Sequence, residues 1–144
     1  MLNIIFVDFN ESLVKKVSAL GIESHHSDFF TFAYNHVERP VLMTASNPFF
    51  SMGGGLDWEF AKQFPKLCEY KRNKGTGMER IMNVCFTITV DDRLKATKES
   101  VRSALKFAIE NTHEGETLLL SGVGTGIGGI SEEDFISALK EVIT

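Results

Sequence analysis

Two clusters of glycine in the sequence have the spacing and the surroundings of phosphate-binding loops. The first cluster is Gly53-Gly54-Gly55, and the second lies within the segment "GTGIGG" at residues 124–129. Because glycine lacks Cβ, its backbone N–H groups can turn toward an anion, and the anion can come close. Each cluster lies between a predicted strand and a predicted helix. Loops at the carboxyl ends of strands in an α/β sheet meet over one crevice, so two such loops would hold a diphosphate between them.

Both clusters also have a structural interpretation, which the residues alone leave open. The second loop is equally consistent with a tight turn that only needs glycine. If it binds phosphate, we expect Gly126 to have a positive φ and a valine there to fill the space of the phosphate. Asp57, directly after the first cluster, fits two roles equally well. It is either a charge that satisfies a helix N-terminus or a carboxylate that orients water beside a sugar phosphate.

Three standard glycine motifs do not fit this sequence. The second cluster matches GxGxxG, but a dinucleotide-binding fold needs a further strand and an acidic residue about 20 positions later. The sequence given ends at Thr144. No lysine follows these glycines as it does in a Walker A loop. Leu119 occupies the place where a GxSxG nucleophile elbow around Ser121 requires glycine.

The elements that would position these loops alternate between strand and helix patterns. Apolar or β-branched runs predict strands at residues 2–7, 22–25, 41–45, 80–90 and 117–121. Asn10 and Ser131 are suitable N-caps for helices that follow them. Residues 56–64 suit a short helix that Pro65 stops. This alternation predicts an α/β protein with functional loops at the strand ends.

The composition is typical of a soluble globular protein, with 43% hydrophobic and 24% charged residues in a chain of 144. The net charge of −4 does not indicate nucleic-acid binding. The basic cluster Lys71, Arg72 and Lys74 is interpreted as part of a solvated polar loop. Cys68 and Cys85 lack CxxC spacing and indicate free thiols. Since neither a signal peptide nor an apolar run near the ~20 residues of a membrane span is evident, we expect a cytoplasmic protein.

Three segments, in order along the chain, resemble the ligand loops of macro domains. "TASNPFFSMGGGLD" resembles the family signature of Asn-Ala-Ala-Asn, a few small residues, a glycine run, Val and Asp. "LLLSGVGTGIGG" resembles the second ligand loop, and "SHHSDFFTF" lies where the family carries Gly-Asp-Ile-Thr. The resemblance implies a three-layer α/β/α fold with a mixed central sheet. It also implies that residues 1–144 form a single macro-like domain that binds ADP-ribose.

The resemblance further implies roles for individual residues. Asp28 would accept a hydrogen bond from the adenine amino group, with Phe29 beside it in the pocket wall. Asn47 would contact the distal ribose, and Asp57 matches the aspartate that ADP-ribosyl hydrolases of the family use near the anomeric carbon. These last two are therefore the candidate catalytic residues. The ribose and diphosphate loops would comprise Gly53, Gly54, Gly55, Leu56, Ser121, Val123, Gly124, Thr125, Gly126, Ile127 and Gly128.

The family offers three functions for such a site. The first is hydrolysis of the bond at the distal ribose, a de-ADP-ribosylation, which Asp57 favours because a reader has no obvious need for it. The alternatives are a non-catalytic ADP-ribose reader and a related hydrolase of ADP-ribose-1''-phosphate or O-acetyl-ADP-ribose. Three departures from the family pattern bear on catalysis. Thr44 replaces the first asparagine, Gly128 replaces an aromatic residue that packs on the distal ribose, and Trp58 replaces a small residue.

The expected partner is ADP-ribose or an ADP-ribosylated macromolecule. Nucleic acid is expected only as a possible ADP-ribosylated substrate, and no membrane partner is expected. His25 and His26 would point to opposite faces of a strand, so they make a poor metal pair. We therefore expect neither a metal site nor a cofactor.

Overall fold

The structure is a computed structural model that describes residues 2–126 and 128–144. Ile127, one of the expected loop residues, lies outside the described residues. The strands are β1 (Asn3–Asp8), β2 (Glu23–His26), β3 (Pro40–Met43), β4 (Glu79–Ile81), β5 (Val84–Phe86) and β6 (Thr117–Leu120). The helices are α1 (Glu11–Ser18), α2 (Phe29–His36), α3 (Gly55–Gln63), α4 (Pro65–Lys74), α5 (Lys98–Glu110) and α6 (Glu132–Ile143). Within the described ranges, no helix combines the length and the apolar character needed to cross a membrane.

The strands form one mixed sheet in the order β2-β1-β6-β3-β5-β4. The first five strands of that order pair in parallel, and β4 pairs with β5 antiparallel. The central strand β6 lies between β1 and β3, with Leu120 opposite Phe6 and Leu119 opposite Leu42. Because the strands are parallel, the loops after β1, β3, β5 and β6 all leave the sheet at its carboxyl edge.

Alternate residues of β6 enter two hydrophobic cores, one on each face of the sheet. Leu118 and Leu120 belong to a core with residues of α1, α5 and α6. Leu119 belongs to the other core, with residues of α2, α3 and α4. Burial on both faces explains the uninterrupted apolar run of this strand. The three-layer α/β/α arrangement with a mixed sheet that the sequence predicted is confirmed.

The single strand predicted at residues 80–90 is wrong in its form, because the chain reverses within it. β4 and β5 form a hairpin, and Met82 in its turn has a φ of 55°. After β5 the chain continues along the end of β3, where Ser46 and Ile88 form an isolated parallel bridge. The sequence signal for the reversal was Asn83, a typical turn residue that interrupts the apolar run between the two strands.

The solvated loop predicted for the basic cluster is also wrong. Pro65 ends α3 as expected, but it then occupies the first position of α4, where its missing N–H is not needed. Lys71 and Lys74 therefore lie in the last turns of a helix that ends before Gly75, whose φ is 68°. Lys71 is 0% exposed, so it is a core residue rather than a solvated one.

The two predicted N-caps are confirmed. The Asn10 side chain accepts a hydrogen bond from the Leu13 amide, and the Ser131 side chain accepts one from the Asp134 amide. The caps fix where α1 and α6 begin, directly after the loops that leave β1 and β6. The loops after β1 and β6 are thus each held at their far end by a capped helix start.

Cys68 and Cys85 are free and buried. Burial raises the pKa of each thiol to about 11. Because the thiolate is the reactive form, neither side chain is a nucleophile near neutral pH.

Candidate functional site

The two glycine loops face one cleft at the carboxyl edge of the sheet. The cleft has a volume of about 480 Å³, a size typical of small-molecule sites. The residues expected from the sequence that line it are Asn47, Gly53, Gly54, Gly55, Leu56, Asp57, Ser121, Val123, Gly124, Thr125, Gly126 and Gly128. The lining also contains Asp8, Ala45, Ser51, Met52, Thr89, Val90, Leu94 and Gly122.

A larger cavity, of about 720 Å³, opens at the opposite, amino edge of the sheet. Its lining is mainly aliphatic, with Ile4, Ile22 and Val142 among the residues, and Glu23 is the charged residue among them. It contains none of the residues that the sequence picked out. The candidate site residues from the sequence therefore lie at the carboxyl edge, around the smaller of the two cavities.

The N-terminus of α3 presents backbone amides to the cleft. Gly54 is its N-cap, and no side chain caps the helix. Gly55, the first residue of the helix, has a φ of 57°, and a Cβ added there would meet nothing within 4 Å. An uncapped helix start leaves amide donors without partners and carries a positive partial charge. This end of the cleft therefore suits an anion.

Asp57 lies in the first turn of α3 and is 6% exposed. Its Oδ1 accepts a hydrogen bond of 3.0 Å from the Ala45 amide, which ties the helix start to the end of β3. Burial raises the pKa of this carboxyl, against the opposing effects of the Ser46 side chain and the Ala45 amide. A carboxylate with a raised pKa is a better general base than an exposed one.

The Asn47 side chain shapes the loop that follows β3. Its Oδ1 accepts hydrogen bonds from the amides of Phe49, at 3.0 Å, and Ser51, at 3.4 Å. Its Nδ2 donates to the Ser51 hydroxyl at 2.7 Å. These contacts give Asn47 a structural task, and its contact with a ribose stays a prediction.

The loop after β6 also contributes backbone amides to the lining of the cleft. The Thr125 hydroxyl donates to the Gly122 carbonyl at 2.6 Å, which closes the turn. The amides of Gly124 and Gly126 have no hydrogen-bond acceptor within residues 2–126 and 128–144. Both glycines line the same cleft as the start of α3, so two sets of backbone donors border it.

The glycines of this loop have different physical requirements. A Cβ at Gly128 would lie 2.8 Å from the Ala96 Cβ and 2.8 Å from the Gly124 carbonyl oxygen. A Cβ at Gly124, whose φ is 83°, would lie 2.6 Å from the Val101 Cγ2. Gly126 has open space around it, and its φ lies outside the positive region, so the expected positive φ is wrong there. Close packing excludes any side chain at Gly128, which explains why no aromatic residue stands there.

Asp8 is a cleft residue that sequence reasoning missed. It ends β1, and its Oδ2 accepts a hydrogen bond of 2.8 Å from the Gly122 amide. Its Oδ1 accepts another of 2.8 Å from the Asn10 amide. Phe9, the next residue, is 69% exposed. The available signal was a carboxylate at the end of a buried strand, the position from which the other cleft loops also start.

Lys71 is the second residue that sequence reasoning missed. It does not line the cleft, but it contacts the loop between β3 and α3 that does. Its Nζ donates to the carbonyls of Gly75 and Gly77 and to Glu79 Oε1, each at 2.6 Å. The same nitrogen lies 4.6 Å from the centre of the Phe50 ring. Phe50 is 0% exposed and belongs to the loop between β3 and α3. The buried cation therefore holds that loop in place.

Asp28 and Phe29 are not brought into the cleft lining. The Asp28 carboxylate caps α2, where it accepts a hydrogen bond of 2.9 Å from the Thr31 amide. Phe29 is 5% exposed and packs against Phe30 and Phe60. Asp28 follows the edge strand β2, next to β1, so it lies beyond the Asp8 end of the cleft. Contact of either residue with adenine stays a prediction.

Thr44, at the position of the first signature asparagine, has a structural role. It is 0% exposed, and its hydroxyl accepts from the Thr87 amide at 2.9 Å. The Thr87 hydroxyl donates back to the Thr44 carbonyl at 2.5 Å. The pair joins the ends of β3 and β5 and brings Thr89 to the cleft. The Thr89 hydroxyl is buried without a hydrogen-bond partner in the described chain, so a polar ligand or a water there would satisfy it.

No group of three or more metal-ligating side chains occurs within residues 2–126 and 128–144. His25 instead pairs with Glu23, at 2.7 Å, on the edge strand β2. The charged residues that line the cleft in this part of the chain are Asp8 and Asp57. Any anion in the cleft would therefore be held by backbone amides rather than by lysine or arginine.

Comparison with solved structures identifies the fold of this chain. No family model matches the sequence. No curated protein matches it significantly. Among solved structures, the chain is similar to the macrodomain of Mycobacterium tuberculosis DarG, with a TM-score of 0.61 and 18% sequence identity. That match covers 81% of this chain and 88% of the other. The chain therefore has the macrodomain fold, as its loops predicted.

Proposed function

We propose that this protein binds ADP-ribose, or an ADP-ribosyl group on a macromolecule, in the cleft at the carboxyl edge of the sheet. The observation that carries the proposal is the convergence of two amide clusters, the uncapped start of α3 and the loop after β6. Two such clusters suit the two phosphates of a diphosphate. The macrodomain fold, established above, supports ADP-ribose as the compound that carries this diphosphate.

The strand order suggests how the ligand lies. Asp28 and Phe9 are at the β2 and β1 end of the edge, while Asn47 and Asp57 are at the β3 end. The adenine would lie at the first end and the distal ribose at the second, with the diphosphate beside β6 between them. Exposed aromatic rings such as that of Phe9 are suitable surfaces for a base to stack on.

We further propose hydrolysis of the bond at the distal ribose, with Asp57 as the general base. Its carboxylate would take a proton from water as the water oxygen bonds to the anomeric carbon. The bond from that carbon to the leaving group breaks, and the leaving group departs with the electron pair. The raised pKa of Asp57 supports this role, and such catalysis typically contributes 10²–10⁴-fold. Asn47 would position the ribose.

A non-catalytic reader is the second candidate, and one observation favours it. Asp57 accepts the Ala45 amide and so joins α3 to β3, which explains its presence without any chemistry. Hydrolysis of ADP-ribose-1''-phosphate or O-acetyl-ADP-ribose would use the same cleft. The single domain of residues 1–144, the cytoplasmic location and the absence of a cofactor stay predictions from the sequence.

Isothermal titration calorimetry tests the binding proposal. We expect ADP-ribose to bind, with AMP and NAD as weaker control ligands. A ligand at a hundredfold excess over its Kd should stabilise the protein by roughly 2.7 kcal/mol and raise its Tm. The absence of both heat and a Tm shift at millimolar ADP-ribose would refute binding. Incubation with mono-ADP-ribosylated protein then separates the two candidates, because only a hydrolase releases free ADP-ribose above a no-protein blank.

A further inference from the structure

A compact turn at residues 90–96 forms one wall of the cleft. Val90 and Ala96 pair as an antiparallel bridge. Asp91 holds the turn: its Oδ1 accepts from the amides of Arg93, at 2.8 Å, and Lys95, at 3.0 Å. The turn is anchored to the loop after β6 because the Ala96 amide donates to the Gly128 carbonyl at 3.0 Å.

Leu94 is an unusual residue for its position in this turn. Its φ is 63°, a left-handed conformation that glycine and asparagine adopt at much lower cost than leucine. Hairpin turns commonly place glycine at such positions. Leu94 is 45% exposed, so core packing does not account for the leucine. A strained backbone with an exposed aliphatic side chain fits a residue that contacts a ligand.

The location of Leu94 supports this interpretation independently. It lines the cleft together with Val90 and Gly128. The loop after β6 has no room for a side chain where the turn packs, since a Cβ at Gly128 would lie 2.9 Å from the Val90 Cγ1. The turn after β5 therefore adds Val90 and Leu94 to the apolar surface that Met52 and Leu56 provide at this end of the cleft.

We infer that Leu94 is a specificity-determining residue that forms an apolar wall against the terminal ribose of ADP-ribose. The inference rests on the proposed function. In the strand order, β5 lies on the opposite side of β6 and β3 from β1 and β2. Leu94 is thus at the end of the cleft where the terminal ribose would lie, far from Asp28. The C–H face of a ribose packs against aliphatic carbon, so the wall selects ligands that carry this sugar.

The experiment compares Leu94→Asn with Met82→Asn. Met82 is a matched control because it is 78% exposed, has a φ of 55° and lies in the β4–β5 turn, outside the cleft lining. Asparagine relieves the backbone strain at both sites, so both variants should have a higher Tm than the parent. Calorimetry then gives the Kd of each variant for ADP-ribose and for ADP, which lacks the terminal ribose, and the difference reports the contact of Leu94 with that ribose.

We expect Leu94→Asn to weaken ADP-ribose binding by about fivefold, the effect of losing part of one aliphatic contact. Its Kd for ADP should not change, Met82→Asn should bind both ligands like the parent, and Leu94→Met should retain most of the affinity. An unchanged Kd of Leu94→Asn for ADP-ribose, or an equal loss for ADP, would overturn the inference. If the parent binds neither ligand, the proposed function itself fails, which is a distinguishable result.

Discussion

Gly126 gives the sharpest test of the diphosphate site, because the structure separates its role in binding from any role in folding. A Cβ there would meet nothing within 4 Å, and its φ lies outside the positive region. Gly126→Val should therefore change the free energy of unfolding by no more than about 0.5 kcal/mol, as for other exposed sites without special features.

The same substitution should strongly reduce binding. Phosphate oxygens approach backbone amides to about 2.9 Å, and the valine side chain would occupy the open space through which they approach. Loss of one hydrogen bond to a charged group costs about 1.5–3 kcal/mol. The Kd for ADP-ribose should rise by roughly 10- to 150-fold. Calorimetry gives the Kd, and thermal unfolding without ligand gives the stability.

Gly128→Ala is the control with the opposite expectation. The new methyl group would lie within 2.9 Å of atoms of Ala96, Gly124 and Val90, so this variant should lose about 1–3 kcal/mol of stability through overpacking. If Gly126→Val unfolds like the parent and binds ADP-ribose with the parent Kd, the loop is only a turn. If Gly126→Val is as unstable as Gly128→Ala, a side chain at position 126 clashes with its neighbours, and the open space around Gly126 is refuted.

Three further substitutions test the remaining side chains. Asp57→Asn should lower turnover by at least about a hundredfold. It should not lower the Tm, because the asparagine side-chain oxygen still accepts the Ala45 N–H and the variant no longer buries a carboxylate charge. Equal turnover of parent and variant would contradict the role of Asp57 as the base. Lys71→Met should cost about 1–3 kcal/mol in urea unfolding because three part-buried acceptors lose their donor, and it should also weaken ADP-ribose binding through Phe50; unchanged affinity would limit Lys71 to folding. Arg80 lowers the pKa of Glu116 to about 2, so this pair contributes stability above about pH 4.5 that is lost as the pH falls toward 2. Glu116→Gln should be about 1–3 kcal/mol less stable at pH 7, with the difference shrinking in acid; a constant difference across that pH range would refute the assignment.

The sequence predicted which loops meet at one cleft better than it predicted the elements around them. Glycine clusters and strand ends are local features, and the parallel sheet brought both loops to one edge as expected. The roles of Asp8 and Lys71 depend on partners far along the chain, Gly122 for Asp8 and Phe50 for Lys71. Contacts of that kind leave no period or spacing in a sequence. The burial of Lys71 in particular could not be read from its type, because a lysine is almost never fully buried unless partners surround it, as Gly75, Gly77 and Glu79 do here.

Glycine roles likewise could not be separated before the packing was known. Gly124, Gly126 and Gly128 alternate in one short segment, yet the first needs its backbone angle, the second has open space and the third is enclosed by neighbours. The neighbours come from α5 and from the turn after β5, so only the tertiary structure distinguishes a glycine with open space beside the cleft from one that neighbours enclose.

Backbone strain in this protein is concentrated around the cleft and its support. Among the described residues, the non-glycine positions with positive φ include Phe50 and Met52 in the first loop and Leu94 in the turn after β5. Thr76, also strained, lies between the two glycines whose carbonyls bind Lys71. Such strain persists only where surrounding contacts over-determine the backbone. The buried Lys71 supplies one such contact for the first loop through the Phe50 ring, so the same side chain that joins Gly75, Gly77 and Glu79 also supports the loop that leads into α3.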